Sequence, residues 1–444
     1  MTMNSSTTAL ALVSTAPRPR QDVASLYAED EKVRAAEFAA NTAHIEAVSA
    51  GAPALGSRSG TGSVTGTDTG ATTGRRTGAV SSREATRLRA RAAELGKALD
   101  RLMMSTGTAP EGTVLALIHG AASGKGGVTL AASADRIVGV YTDDKAGLSP
   151  QRYYNDARLD DQLALRAGEV GSVYTDGGDD VVAIEADLVE SIYTGNDSDV
   201  VAITGNVVRS VYTDNDARHT PQGRAGTDAV AINARYVDSV YTGGGADAVA
   251  INAHVVESVY AGAGNDAIRI SADLVAGIHG DDGDDVIDVT ATAGRADGFV
   301  GFAPSMPDLS TTEGRMAATA LVGGVDGGAG NDTIRVASQG PIEVAGGTGD
   351  DSIRLEGGTV GLVWSAGDGN DQVALGAGTE VVVRLDARAG SFSVERGEDS
   401  LTLRMGTGGA ITFTGVRDAG MIAVTGGMTP MSVLSEGAML DRSA

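Results

Sequence analysis

Aspartates recur at nearly constant separation through the second half of the chain: Asp161, Asp180, Asp199, Asp228, Asp247, Asp266, Asp285, Asp332, Asp351 and Asp371. Successive numbers differ by 19, 19, 29, 19, 19, 19, 47, 19 and 20. Most follow a glycine two residues earlier: Gly178, Gly226, Gly245, Gly264, Gly283, Gly330, Gly349 and Gly369. Glycine admits positive φ, so a turn can converge its carbonyl oxygens, and the aspartate adds a charged oxygen to the same spot. A donor set of oxygens alone, without cysteine or histidine, suits a hard cation, and its flexible, carbonyl-rich geometry favours calcium over magnesium. Stacked carboxylates about 5 Å apart repel by about 3 kcal/mol per pair at an effective dielectric of about 20. Bridging cations turn that repulsion into attraction, so the array is expected to need its metal to fold.

The elements that carry these turns form a repeat. SVYTDGGDDVVAIEADLVE, SIYTGNDSDVVAITGNVVR, SVYTGGGADAVAINAHVVE and SVYAGAGNDAIRISADLVA begin at Ser172, Ser191, Ser239 and Ser258, and a unit at Ser210 carries an insertion around His219 to Arg224. A unit of 19 residues cannot bury its own apolar face, so each is one coil stacked on the next. Two short β-branched strands and two turns fill such a coil at about 3.3 Å per residue, and stacking at about 4.8 Å pairs each strand with its equivalents. The expected fold is all-β, a parallel β-solenoid. Alternation points Val182, Val201, Val249 and Ile268 inward, with Ile184, Ile203, Ile232, Ile251 and Ile270 two residues later. The facing of the second strand is left open by its sequence. Tyr141, Tyr174, Tyr193, Tyr212, Tyr241 and Tyr260 form a ladder ending in His279. It reads as stacking that fixes register, with an aromatic ligand-binding strip as the alternative. Insertions at 142–160, 214–223 and 290–325 read as loops projecting from the stack.

These turns resemble the glycine- and aspartate-rich nonapeptide of hemolysin-type (RTX) calcium-binding repeats, G-G-x-G-x-D-x-U-x. GGAGNDTIR (327–335) and GGTGDDSIR (346–354) fit throughout, while AGDGNDQVA, AGAGNDAIR, GRAGTDAVA, TGGGADAVA and GDDGDDVID depart at one or two positions. The resemblance covers residues 156–375 directly and the coils from 113 to about 425 more loosely. It implies Ca²⁺ held between adjacent turns by consecutive pairs drawn from Asp180, Asp199, Asp228, Asp247, Asp266, Asp285, Asp332, Asp351 and Asp371. The opposite turn reads EADL, NARY or NAHV and lacks the glycine pattern, so metal is expected on one edge only. Val128 stands where SGKGGV would need its aspartate, and the turns at Asp161 and Asp199 miss glycines. The resemblance also implies a one-step bacterial export route with an uncleaved C-terminal signal, hence a secreted or cell-surface protein.

Charge and composition set further bounds. The chain carries 58 acidic and 34 basic residues, net -24. Residues 1–112 hold 13 basic and 11 acidic residues, so 113–444 holds 21 and 47, net -26. That excess argues against nucleic acid and anionic membrane as partners. No apolar run is long enough for a membrane span, and Ala9 to Val13 is too short for a signal peptide. Residues 1–50 read as a weakly helical segment (Val23, Leu26, Val33, Ala36, Ile45), 51–82 as a Gly/Thr/Ser-rich linker and 426–444 as a tail. Residues 83–112 read as an amphipathic helix with Leu88, Ala92, Leu95, Leu99 and Leu102 on one face, either capping the solenoid of 113–425 or docking a partner.

Enzyme signatures are missing: there is no H-E-x-x-H, no G-x-S-x-G, and GAASGKGG at 120–127 reads as a turn rather than a phosphate loop. The threonine array of ice-binding solenoids is also missing from the third turn position. The expectation is a non-enzymatic, calcium-stabilised extracellular protein of a surface, matrix or filament, with self-association or a surface partner engaged through the N-terminal helices. A polysaccharide-binding or polysaccharide-processing solenoid is the alternative.

Overall fold

Short β-branched runs separated by glycine turns leave the chain one way to bury its apolar residues, which is to lay each run against its copy in the next coil. The computed structural model describes residues 7–15, 112–122, 127–142, 159–175, 177–214, 225–292, 324–386, 388–426 and 429–435. All regular elements among them are strands, 26 in one hydrogen-bonded array, and the coil strands pair in parallel. The protein is an all-β parallel solenoid.

The first strand of each coil follows the aspartate. Leu163, Val182, Val201, Val230, Val249 and Ile268 stack in register, and the column continues through Ile287, Ile334 and Ile353. Ile184, Ile203, Ile232, Ile251 and Ile270 form a parallel column two residues on, and both columns lie in the core. Their inward facing is as the alternation predicts. Pairing of Ile287 with Ile334 spans 47 residue numbers without loss of register.

The second strand buries Val170, Val189, Val208, Val237, Val256 and Val275, and then a second set three residues later: Val173, Ile192, Val211, Val240, Val259 and Ile278. A separation of three defeats simple alternation. In the last three of these coils the local backbone shows how, because Ser239 and Ser258 have φ of 57° and the equivalent Gly277 has φ of 63°, which inserts a kink between the two buried positions.

The ends are closed differently from the middle. Thr7–Thr15 pairs antiparallel with Thr113–Ala122, the first coil strand. These residues fall within the expected weakly helical stretch but form a strand, because their alternating Ala, Leu, Val and flanking Thr suit an edge that needs a partner. At the other end, residues 386–409 leave the coil path. Phe392–Arg396 and Ser400–Met405 form an antiparallel hairpin that pairs onto Ala410–Thr414, and Thr429–Ser435 pairs antiparallel with Met421–Gly426. The expected helices at 22–47 and 83–112, the linker at 51–82 and most of the insertions and tail lie outside the described residues.

Ile232 is fully buried at the centre of the stack. Ile232→Ala should cost about 2–5 kcal/mol, read as a lowered thermal midpoint in calcium. A cost no larger than that of an exposed substitution would refute the inward assignment.

Candidate metal centre

Parallel stacking in register places every turn aspartate over the next. Each donates its backbone N–H to the Oδ1 of its equivalent one coil on: Asp180 to Asp199 at 2.9 Å, Asp228 to Asp247 at 2.8 Å, Asp247 to Asp266 at 2.7 Å, Asp285 to Asp332 at 2.8 Å and Asp351 to Asp371 at 3.2 Å. The links at Asp161, Asp199, Asp266 and Asp332 have the same form. All nine predicted metal aspartates therefore belong to one continuous column, and all are buried. The column ends where predicted, at Val128, whose N–H donates to Asp161.

One carboxylate oxygen per residue is thus used by the backbone. The other is the chemically informative one. The Oδ2 atoms of Asp199, Asp247, Asp266, Asp285, Asp332 and Asp351 are buried and accept no hydrogen bond. Burying such an oxygen without a partner is costly, and the protein answers by favouring the protonated form. Burial pushes the carboxyls of Asp266 and Asp285 up to about 7, those of Asp332 and Asp371 to about 8 and that of Asp351 to about 6. Asp199 and Asp247 are also raised, by burial first and by the neighbouring carboxylates second.

Glycine builds the space these oxygens face. A β-carbon on Gly280 would lie 2.3 Å from Asp285 Oδ2 and 2.5 Å from the Gly327 carbonyl oxygen. On Gly327 it would lie 2.3 Å from both Asp332 Oδ2 and the Gly346 carbonyl oxygen. Charged and carbonyl oxygens converge where a side chain is missing, and this donor set fits a hard divalent cation. Asp285, Asp332, Asp351 and the adjoining carbonyls are the residues that would hold it. The glycines two residues before the aspartates act differently. Gly264 has φ of 144° and a β-carbon there would sit 1.3 Å from the Gly245 carbonyl oxygen, so it serves close approach of coils as well as turn conformation. Gly226 is the exception within that set: it lacks positive φ and is required only by contact, since a β-carbon there would lie 1.8 Å from the Asp197 carbonyl oxygen.

The column has two chemically distinct halves, which sequence reasoning missed. From Asp161 to Asp247 the turn opens with threonine: Thr142, Thr175, Thr194, Thr213 and Thr242, all buried. Thr142 donates to Asp161 Oδ2. Thr175, Thr194, Thr213 and Thr242 also donate up the stack to carbonyls at 3.4, 3.2, 3.4 and 2.9 Å. From Asp266 onward the position is Ala261, Gly280, Gly327, Gly346 and Ala366, and the hydroxyls vanish. The signal was present as the first letter of each turn. Asp214, beside the insertion, is a second omission. It is buried, its Oδ2 accepts from Gly244 and Gly226, and burial with Asp228 nearby pushes its carboxyl up to about 9.

The tyrosine ladder is a continuous stack. Ring centroids from Tyr141 to His279 are 4.6 to 5.1 Å apart with interplanar angles of 1° to 9°. Ring faces are therefore consumed by one another, which suits the register reading and leaves only edges to a ligand.

No family model matches the chain, and no curated protein matches it. Among solved structures, the chain is similar to the extracellular lipase LipA from Serratia marcescens at 14% identity, with a TM-score of 0.20. That likeness covers 60% of this chain and 44% of the lipase chain, so less than half of the lipase is spanned. No helix among the described residues is long and apolar enough to cross a membrane.

The raised carboxyls fix the sign of a pH effect. Each binds its proton more tightly in the coil than in the unfolded chain, so its contribution to stability is present at low pH and lost as pH rises through the folded value. In chelator, order should therefore fall as pH passes from about 6 to about 8, the range set by Asp351, Asp266, Asp285, Asp332 and Asp371. Circular dichroism of the metal-free chain should report more strand at about pH 5 than at about pH 9. Equal order at both would contradict the buried column.

Proposed function

We propose that this chain is an extracellular calcium-stabilised structural protein, a rod that serves in a bacterial surface, matrix or filament and orders on meeting calcium after export. The observation that carries the reading is the set of buried Oδ2 atoms without a hydrogen bond, facing glycine-lined space. At neutral pH those oxygens require either protons or cations, and a divalent ion shared by two coils removes the repulsion along the column. Sites of the extracellular class bind calcium at about 10⁻⁴ to 10⁻³ M. They would stay empty in a cytosol and fill outside, which keeps the chain unfolded for passage through an export channel.

Two features of the same geometry support reading the rod as non-enzymatic. The column repeats one carboxylate environment rather than pairing an acid with a differently placed base, and the consumed tyrosine faces offer no platform for sugar rings.

Calcium titration of the purified chain, followed by chelation, tests the reading by circular dichroism and particle size. A reversible gain of strand at millimolar calcium, with magnesium ineffective, is expected; full order in chelator at neutral pH would overturn it. Asp332→Asn sharpens the test because its effects have opposite signs. It should weaken the calcium response while leaving the metal-free chain as stable or more stable at about pH 8, having removed a buried like charge.

A further inference from the structure

The outer face of five consecutive coils is buried although no described strand lies over it. Ala164, Ala183, Ala202, Ala231 and Ala250 stack in one column. They alternate with the core residues, so they face outward, yet their exposure is only 0–6%. Val181, Val200, Ala229 and Ala248 beside them are equally closed off. The same column is open elsewhere: Ala131 is exposed, Ala374 is half-buried, and Arg269, Asp288, Arg335 and Arg354 occupy the coils between. Stacking alone therefore does not bury an alanine here. At the margin, Thr204 is 4% exposed and its Oγ1 is buried without a hydrogen-bond partner. A hydroxyl shut away from water in this manner marks a dry contact with chain lying across the face.

We propose that residues 83–107 of this same chain dock there as a helix, with Leu88, Leu95, Leu99 and Leu102 seated against the alanines. Length selects this segment. The stripe from Leu88 to Leu102 spans about 21 Å at 1.5 Å per residue, and four coil steps of about 4.8 Å give a platform of about 19 Å. Connectivity agrees, because the chain re-enters the solenoid at Thr113, and the ten residues after Leu102 reach about 33 Å when extended. Charge agrees as well. Arg83, Arg87, Arg89, Arg91, Lys97 and Arg101 against Glu84, Glu94 and Asp100 give net +3, facing a solenoid portion of net -26. Small side chains on the sheet leave the room that leucines need for close packing. The tether also fixes direction: Leu102 lies at the Ala164 end and Leu88 at the Ala250 end.

The chain has no cysteine, so introduced pairs are unambiguous. In saturating calcium, Leu102→Cys with Ala183→Cys and Leu88→Cys with Ala250→Cys should each oxidise to an intramolecular disulfide. The swapped pair Leu102→Cys with Ala250→Cys should do so at least about tenfold more slowly, the penalty for reaching a site that is not adjacent. Equal rates in the swapped pair, intermolecular products alone, or capture instead by Leu26→Cys would overturn the proposal in favour of no fixed cover, a second copy or residues 22–47. A full-length chain with Leu88, Leu95, Leu99 and Leu102 changed to Ser gives a second reading. It should keep the strand signal in calcium but bind a hydrophobic dye more strongly and exchange the amides of residues 181–184 and 200–203 faster; unchanged dye binding and exchange would refute docking. The inference stands apart from the metal reading, since strand content in calcium is followed separately.

Discussion

Parallel stacking in register is the constraint from which the rest follows. It places every side chain over its own copy at about 4.8 Å, which rewards apolar and aromatic columns and penalises charged ones. The protein deals with charge column by column. On the exposed fifth turn position, Asn265, Asp284, Asn331, Asp350 and Asn370 alternate amide with carboxylate, and Asp284 and Asp350 accept from the amides of Asn331 and Asn370. On the outer strand face, Arg335 sits between Asp288 and Glu356. The buried sixth position alone among these columns keeps the same charge in every coil from Asp161 to Asp371. It is there that protons or metal must enter.

The first-strand columns could be read from sequence because period two maps directly onto inside and outside, as at Val182 and Ile184. The aspartate column and the ring stack could be read because a constant spacing survives insertions. The second strand resisted because Ser239 and Ser258 kink the chain between Val237 and Val240, and between Val256 and Val259, so the apolar separation becomes three. The buried outer face resisted for a different reason. A run such as VVAIE is apolar on both sides, and what closes the outer side lies far away in sequence, where local pattern carries no information. The change from threonine to glycine or alanine at the turn entrance is written in the sequence, but the burial of those hydroxyls becomes visible only once the coils are stacked.

Rigidity accompanies this arrangement. Close approach of glycine to carbonyl at each turn, a chain of aspartate bonds on one edge and face-to-face rings beside it tie each coil to the next at several points across its width. Neighbour-by-neighbour coupling of this kind makes the stack behave as a quasi-one-dimensional body whose order propagates along its axis.

The antiparallel strands at the C-terminal end carry a consequence for growth. A bare final coil would be a template onto which a second molecule's first coil could add, extending the ladder without limit. With Ser400–Met405 and Thr429–Ser435 laid against the last two coil strands in the opposite sense, neither of those coil strands is itself left as an edge. Among the described residues the outermost strands are then Phe392–Arg396, which runs in the coil sense, and Thr429–Ser435, which runs against it, so a second molecule's first coil meets no matching pair of parallel strands on which to continue the ladder.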